Sequence, residues 1–373
     1  MIRKKDVASQ LITCLFFYRI LMAFVAQFVI AKLTILGDVG AFLYGLPHEK
    51  YGTLAMMLDK FGIDLLWHKD ALGVFIVSAL HKVLHFEILT FCLCSAVGYV
   101  GIRAFLKAAE SSSKAYLLLI ILCYSPSFNI WSSIAGKECL VVFGMGILCA
   151  EIIKLFKEEP FKPGILFFVA LYLVMVLKKQ YIPFVLITMS YAVFRRLVKI
   201  PYKWDVALLL AMVAAVAVGM YLLRYKLSDY SFYAQDVFRV SARSTRDHVF
   251  ENQFDFFKKM PYLMPLAFWG PTWSECYKSP LHLFSFLESG IIVLTFLYLL
   301  KGFFRCIFCR FRDFYQWFLL GINAVFLLLV AQYGQGVINP GAAIRYRTNI
   351  YLPVVAFMYI FAYLKERKLE EQD

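Results

Sequence analysis

The chain has 373 residues, of which 61% are hydrophobic and 17% charged, with a mean hydropathy of +0.69. That balance excludes a soluble globular domain and calls for a bilayer as the surrounding medium. The net charge of +14 would suggest nucleic acid in a soluble protein. No nucleic-acid module is present, however, and basic residues collect in the cytoplasmic loops of membrane proteins, so nucleic acid is not expected as a partner.

In chain order, apolar blocks at roughly 10–32, 85–106, 115–130, 137–156, 164–178, 180–195, 204–224, 281–302, 316–334 and 349–365 predict an all-α polytopic membrane protein. About ten transmembrane helices are expected, in one integral membrane domain over residues 1–373. The first block follows Met1-Ile2-Arg3-Lys4-Lys5 and is long enough to stay as an anchor rather than be cleaved as a signal peptide. The fifth and sixth blocks are short and share the turn Lys178-Lys179-Gln180, so they need not cross fully. With the amino terminus inside, the short inner loops hold Arg103, Lys107, Lys114, Lys154, Lys157, Lys162, Arg195, Arg196, Lys301 and Arg305. Both termini are therefore expected in the cytoplasm. The outer face owns two long connections, 33–84 and 225–280. A moderately apolar stretch near 71–83 in the first reads as a helix lying along the interface. The aromatic density of the second argues against disorder.

Polar residues that interrupt the apolar blocks cluster at this outer face. Asp38 follows the first block; an acid there can serve as general base on a sugar hydroxyl or act as a turn or cap aspartate. Lys137-Glu138 opens a helix that then turns wholly apolar, with the carboxylate favoured by the helix dipole. The pair reads either as part of a ligand site or as an ion pair capping a membrane helix. Lys178 and Lys179 occupy a third outer turn. Arg345-Tyr346-Arg347, before the last block, suits an anionic ligand, since guanidinium forks bind phosphate in bidentate fashion; snorkelling to lipid headgroups is the alternative. Together these turns predict a site for a diphosphate that enters from the membrane. Arg239, Arg243 and Arg246 have the spacing of one helix face. Trp269 and Trp273 either stack on sugar rings or belong to an interfacial aromatic belt. No D-x-D pair is present, and the nine cysteines include only a lone C-x-x-C, Cys306 and Cys309, so no metal is expected.

The order of Gly37-Asp38 with Tyr44, of Pro126-Ser127 through Trp131 to Lys137-Glu138, of Trp269-Gly270-Pro271-Thr272-Trp273-Ser274-Glu275, and of Gly341 through Arg345-Tyr346-Arg347 resembles that of bacterial polysaccharide polymerases (O-antigen or capsule repeat-unit type) and related GT-C-type membrane glycosyltransferases. The resemblance is one of layout over most of the chain. It implies a polyprenyl-(di)phosphate-linked glycan as substrate at the outer face of the bacterial inner membrane, and no cofactor. It further implies that Arg345 and Arg347, helped by Lys137 and by Lys178 or Lys179, hold the lipid diphosphate. Asp38 or Glu138 would deprotonate or orient the acceptor hydroxyl, and Tyr44, Trp131, Trp273 and Arg243 would contact substrate. Preorganised cations near hydrocarbon suit a leaving group whose negative charge grows in the transition state. No Gly-rich phosphate loop points to a nucleotide sugar. Two other readings compete. One is a transporter or flippase for a lipid-linked glycan, for which Arg19 and Glu87 are the in-span candidates. The other is a non-enzymatic partner in polysaccharide assembly.

Overall fold

The computed structural model describes residues 4–34, 36, 38–44, 54–198, 202–241, 245–306 and 312–370, and every regular element among them is helical. Gly37, Arg243 and Cys309 lie outside the described residues. Seven helices among the described residues are long and apolar enough to cross a membrane: Val7–Leu33, Glu87–Ala109, Lys137–Phe156, Trp204–Leu222, Pro280–Leu300, Gln316–Gly336 and Pro340–Arg367. The pair Ile165–Leu177 and Lys179–Leu197 makes an eighth if it counts as one broken or re-entrant span. The chain is thus an all-helical, multi-pass membrane protein. The apolar block 115–130 divides into a helix of 10 residues and one of 6, each well short of the roughly 20 residues that a full crossing takes.

The helices sort into two compact units, Met1–Ile182 with Tyr351–Pro353, and Pro183–Ile350 with Val354–Asp373. The first holds α1 (Lys4–Val25), which runs on through a π-helical turn Ala26–Ile30 into α2 (Ala31–Leu33). There follow α3 (Val39–Tyr44), α4 (Leu54–Phe61) with a 3-10 turn Gly62–Trp67, α5 (Lys69–Leu84), α6 (Glu87–Ala109), α7 (Lys114–Cys123), α8 (Pro126–Trp131), α9 (Lys137–Phe156) and α10 (Ile165–Leu177). Local chemistry sets the boundaries of these helices. The His68 ring accepts from the Ala71 amide to start α5, and Ser113 accepts from the Tyr116 amide to start α7. Pro126 stands in the first turn of α8, where its fixed φ and missing N–H cost nothing.

The hub of this unit is α9. Between Cys139 and Ala150 its sequence is apolar all round, as a helix surrounded by others must be, and 83% of its most apolar window is buried. It packs against α6, α10 and α5. Contacts between α6 and α9 rise together along both helices: Ser95 with Ser133 just ahead of α9, Gly101 with Phe143 and Gly146, Ala108 and Glu110 with Lys157. The two helices therefore run parallel, and α7 and α8 form the return limb between them. Gly101 and Gly146 let the two backbones touch. A Cβ on Gly101 would sit 2.6 Å from the Phe143 Cα, and one on Gly146 would sit 2.8 Å from the Gly101 Cα.

The second unit holds α11 (Ile182–Leu197), α12 (Tyr202–Leu222), α13 (Arg224–Ser241), α14 (Asp255–Trp269), α15 (Trp273–Cys276), α16 (Pro280–Cys306), α17 (Arg312–Gly336) and α18 (Pro340–Glu370). Most of the long connection 225–280 is a packed helical layer: Phe250, Phe256, Met260 and Ala267 form one buried cluster with Tyr333, Val337 and Ile338 of the α17 end. Asp205 ties three helices, accepting from Tyr191 and Gln316 and facing Arg195 at 3.7 Å. In contrast, α12 keeps only 11% of its apolar window buried; its surface is suited to lipid.

The close approach of α6 to α9 makes a prediction. Gly101→Ala should destabilise the purified protein by about 1–3 kcal/mol through overpacking. Gly219→Ala, where a Cβ meets nothing within 4 Å, should leave thermal unfolding in detergent unchanged or slightly raised.

Candidate functional site

In the first unit, charges from three separate segments gather at the N-terminal end of α9. Lys137 Nζ donates to Asp70 Oδ1 at 2.6 Å, with Asp70 in the first turn of α5. Lys178, which caps the C-terminus of α10, places its Nζ 3.8 Å from Glu138 Oε1. Glu138 and Lys178 are buried, whereas about half of the Asp70 side chain is exposed. The sequence explains the convergence: α9 begins just after Gly136, so its first two side chains carry their charges beside the start of α5 and the end of α10. A Cβ on Gly73, one turn on from Asp70, would lie 3.5 Å from Lys137 Cβ and 3.7 Å from Leu177 Cδ2. Burial pushes the Asp70 carboxyl up. The Lys137 charge and hydrogen bond, with Lys69 and His68 behind them, outweigh this and leave it below its ordinary value.

The break between α7 and α9 is held by Arg19, a buried guanidinium near the middle of the first span. It donates to the Ser95 carbonyl at 3.3 Å, to Asn129 Oδ1 at 3.0 Å, and to Ser132 Oγ and carbonyl at 2.9 and 3.2 Å. Asn129 returns its amide to the Cys123 and Ser125 carbonyls at 2.8 and 2.7 Å. The carbonyls exposed by the helix break thus find donors, as a bilayer demands.

In the second unit, Arg347 of α18 is buried with its Nη2 3.3 Å from Glu288 Oε2. It also donates to Ser289 Oγ and lies 5.8 Å from the Phe268 ring centre. Ser289 Oγ donates to the Trp269 carbonyl at 2.6 Å. Arg246 meets Glu275 with two parallel bonds of 2.8 and 2.6 Å, and donates to the carbonyls of Val337 and Gly270. Its own amide donates to the Ile338 carbonyl. The segment Trp269–Cys276 is thereby pinned to the turn between α17 and α18. Gly270 adopts φ +96°, and a Cβ there would also press on Ile344 at 3.2 Å, so only glycine is unstrained.

The expected site residues are distributed as follows. Asp38, Tyr44, Trp131, Lys137, Glu138, Lys178 and Lys179 belong to the first unit, and Trp273, Arg345 and Arg347 to the second. Lys137, Glu138 and Lys178 share one cluster. Asp38 is exposed immediately ahead of α3, its carbonyl accepting from the Phe42 amide. Tyr44 donates to Glu87, which, with burial behind it, pushes the phenol up to about 12. Trp131 is half-buried at the end of α8, and Lys179 is exposed. Trp273 is 58% exposed and stands edge-on to Tyr277 and Phe286. Arg345 is buried near the start of α18. Of the single helical face expected for Arg239, Arg243 and Arg246, Arg239 lies in α13, Arg243 lies outside the described residues, and Arg246 lies outside any helix and turns instead to Glu275.

Asp70, Glu288 and Ser289 were missed by the sequence reading. Asp70 was one of several acids in the first long connection, and its signal was its place in the first turn of a helix. Glu288 was a lone carboxylate inside a predicted span, a type of residue that usually marks a functional site or a buried ion pair. No group of three or more His, Cys, Asp or Glu is placed to hold a metal ion among the described residues. No family model, curated protein or solved structure matches the chain.

Removing one partner of a buried ion pair strands the other, at a cost of about 3–5 kcal/mol. Lys178→Met and Glu138→Gln should each lower thermal stability strongly, and the double variant should lose clearly less than the sum; additive losses would dissolve the pair. Asp255 supplies a pH test. Burial pushes its carboxyl up, but the Glu251 and Asn252 amides and Lys259 overcome this and bring it down to about 2. Its contribution to stability should be complete above the ordinary carboxylate value and vanish as pH falls through about 2. Unfolding midpoints of wild type and Asp255→Asn should therefore differ at neutral pH and converge near pH 2.

Proposed function

We propose that the protein is a membrane glycosyltransferase that uses polyprenyl-linked sugar donors, acting in surface-polysaccharide assembly at the outer face of a bacterial inner membrane with both termini cytoplasmic. Polymerisation of repeat units is the specific form of this reading, and about ten membrane passes its topology. The observation that carries it is the charge cluster at the start of α9, where Lys137, Glu138 and Lys178 meet Asp70 beside an otherwise apolar helix. A donor diphosphate arriving there would replace Asp70 as the partner of Lys137, with Lys179 exposed nearby in sequence. The displaced Asp70 carboxylate, half-exposed, joins Asp38 as a candidate to accept the proton of the acceptor hydroxyl. Glu138 is buried against Lys178, so its part in the reaction is to fix that ammonium. Arg345 and Arg347, in the second unit, are assigned to anionic substrate on their chemistry, with Glu288 as the carboxylate that Arg347 would release.

One observation favours the transport reading: Arg19 holds a broken helix near the middle of a span, a feature of carriers whose half-helices line a substrate path. Turnover separates the two. Purified protein in detergent, given a polyprenyl diphosphate-linked glycan and no membrane gradient, should lengthen the glycan. Lys137→Ala and Arg345→Ala with Arg347→Ala should reduce that rate at least tenfold, since a phosphate-holding cation contributes a few kcal/mol. Absence of any chain growth by wild type, with glycan transfer across vesicle bilayers instead, would favour the carrier.

A further inference from the structure

A cavity of about 990 Å³ lies in the first unit, at the end of the α9 bundle away from Lys137. Its walls come from the last turn of α6, the last turns of α9, the connection 157–164 and the first turn of α10. Four lysines line it: Lys107, Lys154, Lys157 and Lys162. Glu151 neutralises Lys154 at 2.6 Å. The Lys157 ammonium places two of its three N–H groups on carbonyls, those of Ala108 and Glu110 at 2.7 and 2.9 Å, and so closes the end of α6. Lys107 and Lys162 reach the rim exposed, neither in an ion pair among the described residues. Glu110 and Glu159 face solvent beside them.

Other lining residues are of another kind. Ile147, Leu166 and Phe167 add an apolar part to the lining. Ile165 and Leu166, at the start of α10, are 79% and 53% exposed, so the cavity opens onto an uncovered hydrocarbon surface. A chamber lined by lysines and the hydroxyls of Ser111 and Ser112 together with apolar side chains fits an amphiphile. Its size is at the upper end of those that enclose small ligands. The uncapped N-terminus of α10, preceded by Gly164, adds a positive pole toward the same space.

We propose that this cavity binds the phosphate headgroup of an anionic phospholipid, with Lys107, Lys157 and Lys162 on the phosphate and the first turn of α10 on the acyl chains. Basic pockets between membrane helices hold such headgroups, and each basic residue near an anionic surface adds about fivefold in affinity. The site is separate from the α9 charge cluster, and its occupancy does not depend on what reaction the protein performs.

The test is native mass spectrometry of the full chain in neutral detergent, titrated with phosphatidylglycerol, with phosphatidylcholine, and with inorganic phosphate. Phosphatidylglycerol should be retained in preference to phosphatidylcholine. Lys107→Ala and Lys162→Ala should each weaken that retention about fivefold, and the double variant more. Lys114→Ala, at the start of α7 and outside the cavity wall, should have no effect. Millimolar inorganic phosphate should fail to displace the lipid. Equal retention of the two lipids, or a double variant that holds phosphatidylglycerol as well as wild type, would overturn the proposal. Displacement by inorganic phosphate would replace the lipid with a soluble anion and overturn it equally.

Discussion

A polar group inside a bilayer has no water to turn to, and this one condition orders the first unit. Arg19 enters the middle of an apolar span, where an uncompensated guanidinium costs several kcal/mol. Its donors are met by Asn129, Ser95 and Ser132, most of them on the segment where the chain stops being a regular helix. The break and the arginine are therefore solutions to each other. Without the donors, the free carbonyls after α8 would be stranded. Without the break, Arg19 would have a smooth helix face and few acceptors.

The same condition explains why the charges at the start of α9 come as matched pairs. Lys178 and Glu138 are both buried, and neither would persist there alone. Lys137 and Asp70 are closer together but less enclosed, which leaves that pair open to exchange with an incoming anion. The second unit repeats the device with different residues, Arg347 with Glu288 deep in the helices and Arg246 with Glu275 in the layer above the α17 end. In each case one carboxylate fixes a cation, and backbone carbonyls or hydroxyls take its remaining donors.

How much of this was legible in the sequence follows from the range of each signal. Helices of sustained apolar character could be read from composition alone, because length and hydropathy are local properties. The α7–α8 division carried a local mark as well, Tyr124-Ser125-Pro126, which ends one helix and starts another. The packed layer built on Phe250 and Phe256 showed only as aromatic density. Partnerships were not legible. Lys137 and Asp70 are 67 residues apart and Arg347 and Glu288 are 59 apart, and nothing in either neighbourhood names the other. Arg246 shows the limit most plainly: a spacing that suited one helical face with Arg239 leaves it outside any helix, paired with Glu275.

The parallel run of α6 and α9 carries a consequence for how the protein is made. Neighbouring helices that point the same way need a return path, and here that path is a ten-residue helix followed by a polar bend. Its one sustained helix is too short to be handed to the lipid by the insertion machinery on its own merits. It has to be drawn in by a helix already seated, and Arg19 is synthesised more than a hundred residues before its partner Asn129. Biogenesis of this half of the molecule is thus sequential, with the first helix waiting as a receptor for a later stretch of its own chain.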